Sequence, residues 1–168
     1  METDLPSARL LDPELRVQHA RDLAWRALDR RDRTVAEMAR LLAGKRVEPE
    51  VIDAVVGELV EQGYLDDARY ARRYAEDRRR LDAWGSERIE RRLRGLGVGS
   101  DEIARALAAQ DHEEELDAAL ALLRRRFPVV PSTSRECERA LGVLVRKGYD
   151  LELAHDALRR HADVRELD

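Results

Sequence analysis

The stretch G-Y-L-D-D-A-R-Y-A-R-R-Y, Gly63 to Tyr74, decides how this chain is read. A glycine closes one helical run, two aspartates open the next, and that next run is dense in arginine. Asp66 is placed as an N-cap, where a carboxylate accepts from an amide of the first turn. Leu65 before the cap and Tyr70 at the fourth helical position have the spacing of a hydrophobic staple. Asp67 adds negative charge at the positive end of the helix dipole, worth about 0.3–1 kcal/mol. Gly63, Tyr64, Leu65, Asp66, Asp67 and Tyr70 therefore read as a stiff joint between two helical units.

Working outward, apolar positions recur at a spacing of 51 residues. Met38, Ile89 and Ala140 form one series; Leu42, Leu93 and Leu144 a second; Val47, Val98 and Tyr149 a third. Ile52, Ile103 and Ala154 follow, then Val56, Leu107 and Leu158. The intervals within each unit suit two short helices joined by a tight turn. A longer amphipathic helix precedes each pair, around Ala20–Leu28, Tyr70–Leu81 and Leu116–Phe127. The expectation is an all-α fold of three tandem three-helix repeats forming an elongated, curved array. The units span 14–65, 66–110 and 111–168, after a disordered tail at 1–13. Thr34 with Glu37 and Thr133 with Glu136 have capping-box spacing. Ser86 and Ser100 are placed as N-caps, and Gly63, Gly97 and Gly148 as left-handed C-terminal stops. The acidic run Asp111–Glu115 marks another helix start, and Pro128 and Pro131 mark a linker.

Composition agrees. Of 168 residues, 39% are charged and only 4% aromatic, which suits an exposed, salt-rich helical protein better than a β-sandwich. The net charge of −4 gives no global field for nucleic acid, but the charge is uneven. Residues 69–94 hold ten arginines against five acids. The single cysteine, Cys137, excludes an internal disulfide and fits a reducing compartment. No apolar run approaches the roughly 20 residues of a membrane span, and the N-terminus carries no signal-type apolar core. A cytoplasmic protein is expected, without membrane contact.

On a helical wheel, Tyr70, Tyr74 and Leu81 define the buried stripe of the basic helix. Arg69, Arg73 and Arg80 lie along one flank, and Arg72 and Arg79 lie further round. Arg78 is nearer the apolar side, with its head turned outward. On the next helix Arg88, Arg91 and Arg94 face away from Ile89 and Leu93. Arginine's planar fork suits phosphate or carboxylate partners, so Arg69, Arg72, Arg73, Arg88, Arg91 and Arg94 are contact candidates. The alternative is a solvated face laced by i,i+4 pairs such as Glu76–Arg80 and Glu87–Arg91. Trp84, between the two basic helices, is either a core anchor or a platform for a nucleobase. His19, His112, His155 and His161 have no metal-ligand spacing with one another or with Cys137. No phosphate-binding glycine loop or nucleophile elbow is present. No catalytic residue, metal or cofactor is expected.

The run Gly63-Tyr64-Leu65-Asp66-Asp67-Ala68-Arg69-Tyr70-Ala71 resembles the G-Y-L-D-D-x-R-[FY]-A signature of the RecX family of recombination regulators. Gly85-Ser86-Glu87-Arg88-Ile89 and Leu93-Arg94-Gly95-Leu96-Gly97-Val98 resemble its continuation, and Ala20 to Leu42 its first repeat. Where the family loop often reads G-x-G-P, this chain has Ala83-Trp84-Gly85-Ser86. The resemblance implies a small cytosolic, non-enzymatic modulator of the RecA recombinase. Such a protein binds the RecA–single-stranded-DNA filament, lies in its groove, and limits ATP hydrolysis, strand exchange and co-protease action. A monomer is expected, with at most weak direct DNA binding given the acidic flanks. Two other classes fit the residues. One is a helix-turn-helix transcription regulator, although residues 49–61 carry Glu50, Asp53, Glu58 and Glu61 and no arginine. The other is a helical scaffold with protein partners only.

Overall fold

The computed structural model of the chain describes residues 12–163, and every regular element there is a helix. In order they are α1 (Pro13–Leu28), α2 (Val35–Gly44), α3 (Pro49–Glu61), α4 (Asp67–Asp82), α5 (Ser86–Gly95), α6 (Ser100–Leu107), α7 (His112–Arg126), α8 (Ser134–Lys147) and α9 (Leu151–Asp163). Most of the tail expected at 1–13 lies outside the described residues. Its last two residues start α1 instead, with Asp12 accepting from Glu14 N–H at 3.3 Å and Pro13 in the first turn.

Side chains fix several helix starts. Thr34 Oγ1 accepts from Glu37 N–H at 3.1 Å while Glu37 Oε2 accepts from Thr34 N–H at 3.0 Å. Thr133 and Glu136 form the same reciprocal pair at α8, and Asp111 and Glu114 form it at α7. Each pair satisfies two amides that the helix itself leaves unpaired. Asp66 Oδ1 accepts from Arg69 N–H at 2.9 Å, as its N-cap position requires. The two serines differ from expectation. Gly99, not Ser100, is the N-cap of α6, and no side chain caps it. Ser86 is the first residue of α5, and its amide donates to Glu115 Oε1 at 2.7 Å. At α6 the residue before the serine already supplies the extended turn.

The chain divides into two compact units. Unit 1 runs to Tyr70 and takes in Leu96–Val98; unit 2 comprises Ala71–Gly95 and the chain from Gly99 onward. The unit 1 core gathers Ala20, Ala24 and Ala27 of α1 with Met38 and Leu42 of α2, and with Ile52, Val55, Val56 and Leu59 of α3. The largest core of unit 2 packs Leu116, Leu120 and Leu123 of α7 against Leu144, Tyr149, Leu153 and Ala157. Every member of the five 51-residue series is buried except Val47, Leu107 and Leu158, which are half-buried. Periodic apolar spacing thus identified the inward faces correctly.

The basic helix α4 departs from its expected stripe. Ala71 and Ala75 are its buried residues, Tyr70 and Tyr74 are half-buried, and Leu81 is 64% exposed. Two alanines four apart make a narrow buried seam. The larger tyrosines flank that seam, and Leu81 falls beyond it.

A joint of one design occurs once in each unit. In unit 1, Thr34 Oγ1 donates to Leu96 O at 2.7 Å, and Ala36 packs on Gly97. In unit 2, Gly85 N–H donates to Lys147 O at 2.9 Å and Glu87 N–H to Gly148 O at 3.0 Å. Gly97 and Gly148 have φ of 81° and 95°, so they close their helices in the left-handed region where side chains are disfavoured. An acid from the first turns of the following long helix completes each joint. Asp67 Oδ1 accepts from Val35 N–H at 2.9 Å in unit 1, and Glu115 accepts from Ser86 N–H in unit 2.

Candidate functional site

The arginines of α4 and α5 separate into those bound by the fold and those left open. Arg69, in unit 1, donates to Gly63 O at 2.9 Å and faces Asp66 at 3.8 Å, so it serves the signature turn. Arg79 Nη2 donates to Leu107 O at 3.1 Å, and burial pushes its ionisation below the usual guanidinium range. Arg80 pairs with Asp77 at 3.4 Å and Arg94 with Glu90 at 2.5 Å. Neither Glu76–Arg80 nor Glu87–Arg91 forms: Asp77 takes Arg80, while no acid among the described residues pairs with Arg91. Arg72, Arg91 and Arg92 are exposed and make no ion pair among the described residues, and Arg73 is also exposed.

Around Trp84 the open and bound arginines meet within unit 2. Tyr74, Arg78, Trp84, Arg88, Arg91 and Arg92 line a surface hollow. The Arg88 guanidinium lies 4.1 Å from the Trp84 ring centre and that of Arg78 5.7 Å from it. Arg78 also sits 5.5 Å from the Tyr74 ring centre, and its Nη1 bonds Asp82 at 2.6 Å. Arg88 Nη1 donates to Arg146 O at 3.0 Å. Trp84 is half-buried, so it is neither a core anchor nor a free platform. Its π-face carries cations, and cation–π contact holds their forks in place. Side chains ordered in this way lose less entropy on forming a further contact.

The loop carrying Trp84 is held from below. Ala83 adopts φ 53°, a conformation uncommon outside glycine. Its carbonyl accepts from Tyr149 Oη at 3.1 Å, and Lys147 Nζ donates to Asp82 O at 2.7 Å. Burial, with Glu115 nearby, raises the Tyr149 phenol to about 12, so it stays a donor at any ordinary pH. The two downstream residues therefore set the angle at which Trp84 meets the basic helices.

Of the six arginine candidates, the structure brings Arg88 and Arg91 into the hollow. Arg72 and Arg73 stand elsewhere on α4, Arg94 is paired, and Arg69 belongs to unit 1. Tyr74, Arg78 and Arg92 were not among the candidates, and Trp84 was weighed as a core anchor or a nucleobase platform. The wheel placed Tyr74 inside and Arg92 nowhere in particular; the available signal was Trp84 between two arginine runs. Among the described residues no cluster of metal-ligating side chains occurs, and no helix is long and apolar enough to cross a membrane.

The sequence matches the first three-helix domain of RecX over residues 20–59 and the second over residues 66–107. Regulatory protein RecX of Deinococcus radiodurans is 35% identical over 141 residues, covering 84% of this chain and 67% of that protein. Regulatory protein RecX of Leptothrix cholodnii is 34% identical over 136 residues, covering 81% of this chain and 85% of its own. The chain belongs to the RecX family. The crystal structure of RecX from Lactobacillus salivarius superposes with a TM-score of 0.80 at 16% identity, over 89% of this chain and 98% of that one, which establishes the shared all-helical fold. The RecX relatives are named as regulatory proteins, so a regulatory role is the family's stated one. The Trp84 hollow lies inside the second RecX domain, while α7–α9 fall outside both matched spans.

Proposed function

We propose that this chain regulates homologous recombination and DNA repair, including the SOS response, as a cytoplasmic monomer without catalysis of its own. It binds the RecA–single-stranded-DNA filament and lowers its ATPase, strand-exchange and co-protease activities. The observation that carries this reading is the hollow around Trp84, where Arg91 and Arg92 are unpaired beside two arginines ordered on an aromatic ring. Bidentate guanidinium forks suit filament phosphates, and the acid-rich remainder of the chain opposes nonspecific duplex binding. Arg72 and Arg73 extend the basic surface along α4.

The test is RecA's single-stranded-DNA-dependent ATPase, with this protein titrated in at two salt concentrations. A fall at substoichiometric protein is expected, weakened at least tenfold in apparent affinity by Arg91→Glu with Arg92→Glu and by Arg72→Glu with Arg73→Glu, with helicity unchanged. An ATPase that does not respond, alongside tight binding to duplex DNA alone, would replace this reading with the transcriptional one. Loss of DNA affinity with rising salt measures the number of phosphates engaged.

A further inference from the structure

Arg46 stands where the 51-residue period places Gly97 and Gly148. All three close the second helix of their set with positive φ, at 62°, 81° and 95°. The closing bonds correspond too: Val47 N–H donates to Leu42 O at 3.1 Å, as Tyr149 N–H donates to Leu144 O at 3.2 Å. At the two glycines the turn receives a helix start. At Arg46, among the described residues, no amide or hydroxyl donates to the carbonyls of Lys45 or Arg46. Among the described residues, the first turn of the series is an acceptor without an occupant.

Its chemistry also differs from the other two. A pocket opens there, lined by Arg16 and His19 of α1, Lys45 and Arg46 of the turn, and Val47 and Val51. Its one acid, Glu48, is bound to Arg16 Nη1 at 2.7 Å, while Arg16 Nε is buried with no partner. Lys45, Arg46 and His19 are exposed, and Val47 and Val51 are half-buried. A side chain in the left-handed region costs about 1–2 kcal/mol, and such strained positions concentrate at functional sites. Arg46 also excludes the occupant that the glycine turns accept. A Cβ on Gly97 would lie 2.4 Å from Ala36 Cβ, so the Cβ of Arg46 would strike an equally seated helix start. A second copy docking as the internal joints do is thereby blocked.

We propose that this pocket docks an acidic segment of a protein partner through an aliphatic side chain. The aliphatic group covers Val47 and Val51, and flanking carboxylates meet Lys45 and Arg46. Nucleic acid fits less well, because among the described residues no aromatic ring lines the pocket for a base to stack on.

The experiment pans a random dodecapeptide display library on the full chain, with counter-selection on the Lys45→Glu, Arg46→Glu double variant. Both side chains are exposed, so that variant keeps its helicity. Enriched peptides are expected to be acidic and to contain Leu, Ile or Val. Their affinity should fall at least tenfold in the double variant, in Val51→Ser, and when the aliphatic residue of the peptide is changed to serine. Three results would overturn the proposal: no enrichment over the variant, peptides that bind equally without their aliphatic residue, or complete displacement by single-stranded oligothymidylate. Tighter peptide binding after deletion of residues 1–11 would assign the pocket to the chain's own terminus and would equally overturn it. None of these results depends on RecA or on the Trp84 hollow.

Discussion

The joint in unit 1 and the joint in unit 2 solve one problem with different chemistry. At Leu96 the donor is a hydroxyl, Thr34 Oγ1, and the packing atom is the Ala36 methyl. At Lys147 and Gly148 the donors are the amides of Gly85 and Glu87, and backbone lies directly on backbone. The first joint keeps a side chain between the partners, so a change there can be absorbed. The second has no such layer. A joint built from backbone is therefore the more brittle of the two, and the following substitutions rank accordingly.

The largest effect is expected at Gly85. A Cβ there would lie 2.4 Å from Gly148 O and 2.5 Å from Tyr149 N, both backbone atoms. Relief requires parting α5 from the α8–α9 turn, which would also disturb the Tyr149–Ala83 bond under Trp84. Gly85→Ala should cost about 3–5 kcal/mol, in the range of severe overpacking and broken buried hydrogen bonds. Chemical denaturation would measure it, and amide exchange would place the loss in unit 2. A cost under 1 kcal/mol would show that the two joints do not differ as argued.

Gly97→Ala comes next, at about 2–3 kcal/mol from the left-handed backbone and the Ala36 contact together. Here a partner can yield. Ala36→Gly in the same chain should return the steric share of the loss and leave the backbone share, giving a coupling energy of about 1 kcal/mol in a double-mutant cycle. Strict additivity would mean that the methyl contact carries no weight. Thr34→Val removes the cap and the bond to Leu96 O from a fully buried hydroxyl. It should cost about 1–2 kcal/mol by thermal denaturation.

Ala83→Gly should act in the opposite direction. With φ 53°, Ala83 holds a conformation glycine adopts freely, and the gain is offset in part by the greater entropy of an unfolded glycine. A net stabilisation of about 0.5–1 kcal/mol is expected, with the Trp84 hollow unchanged. The resemblance to a G-x-G-P loop pointed to this residue as a departure. The structure shows that the backbone keeps a glycine-like conformation while the sequence does not.

What the sequence made legible follows from how local each signal is. Capping boxes lie within four residues, so Thr34–Glu37 and Thr133–Glu136 could be read directly. The 51-residue period marked the inward faces because each set repeats one packing problem. The α4 seam was misread because a wheel weighs Tyr70, Tyr74 and Leu81 by hydrophobicity. The structure instead buries the small Ala71 and Ala75. The hollow was only half legible, since Arg78 and Arg88 meet Trp84 through a loop whose angle is set by Lys147 and Tyr149, more than 60 residues away. The link between Arg46 and the two glycines was present in the period but becomes meaningful only with three matching φ values.

The smallest effect compares the two capping boxes by pH. Burial alone would raise Glu37, but hydrogen bonds from the Arg31 guanidinium and the Thr34 amide overcome it and hold the carboxyl below its ordinary 4.5. Glu136 is lowered as well, by the Ser132 and Thr133 amides, without an arginine. A lowered carboxyl contributes stability that is complete above the unfolded value and disappears as pH falls through the folded one. Between pH 7 and pH 3, wild type should therefore lose its melting advantage over Glu37→Gln below about pH 4.5, since glutamine keeps the box geometry without titrating. Arg31→Met should shrink that loss for Glu37 and leave the Glu136→Gln comparison unchanged. If Arg31→Met altered neither, the two boxes would be equivalent. The first joint would then owe its stability to Thr34 and its bond to Leu96 rather than to the ion pair beside it.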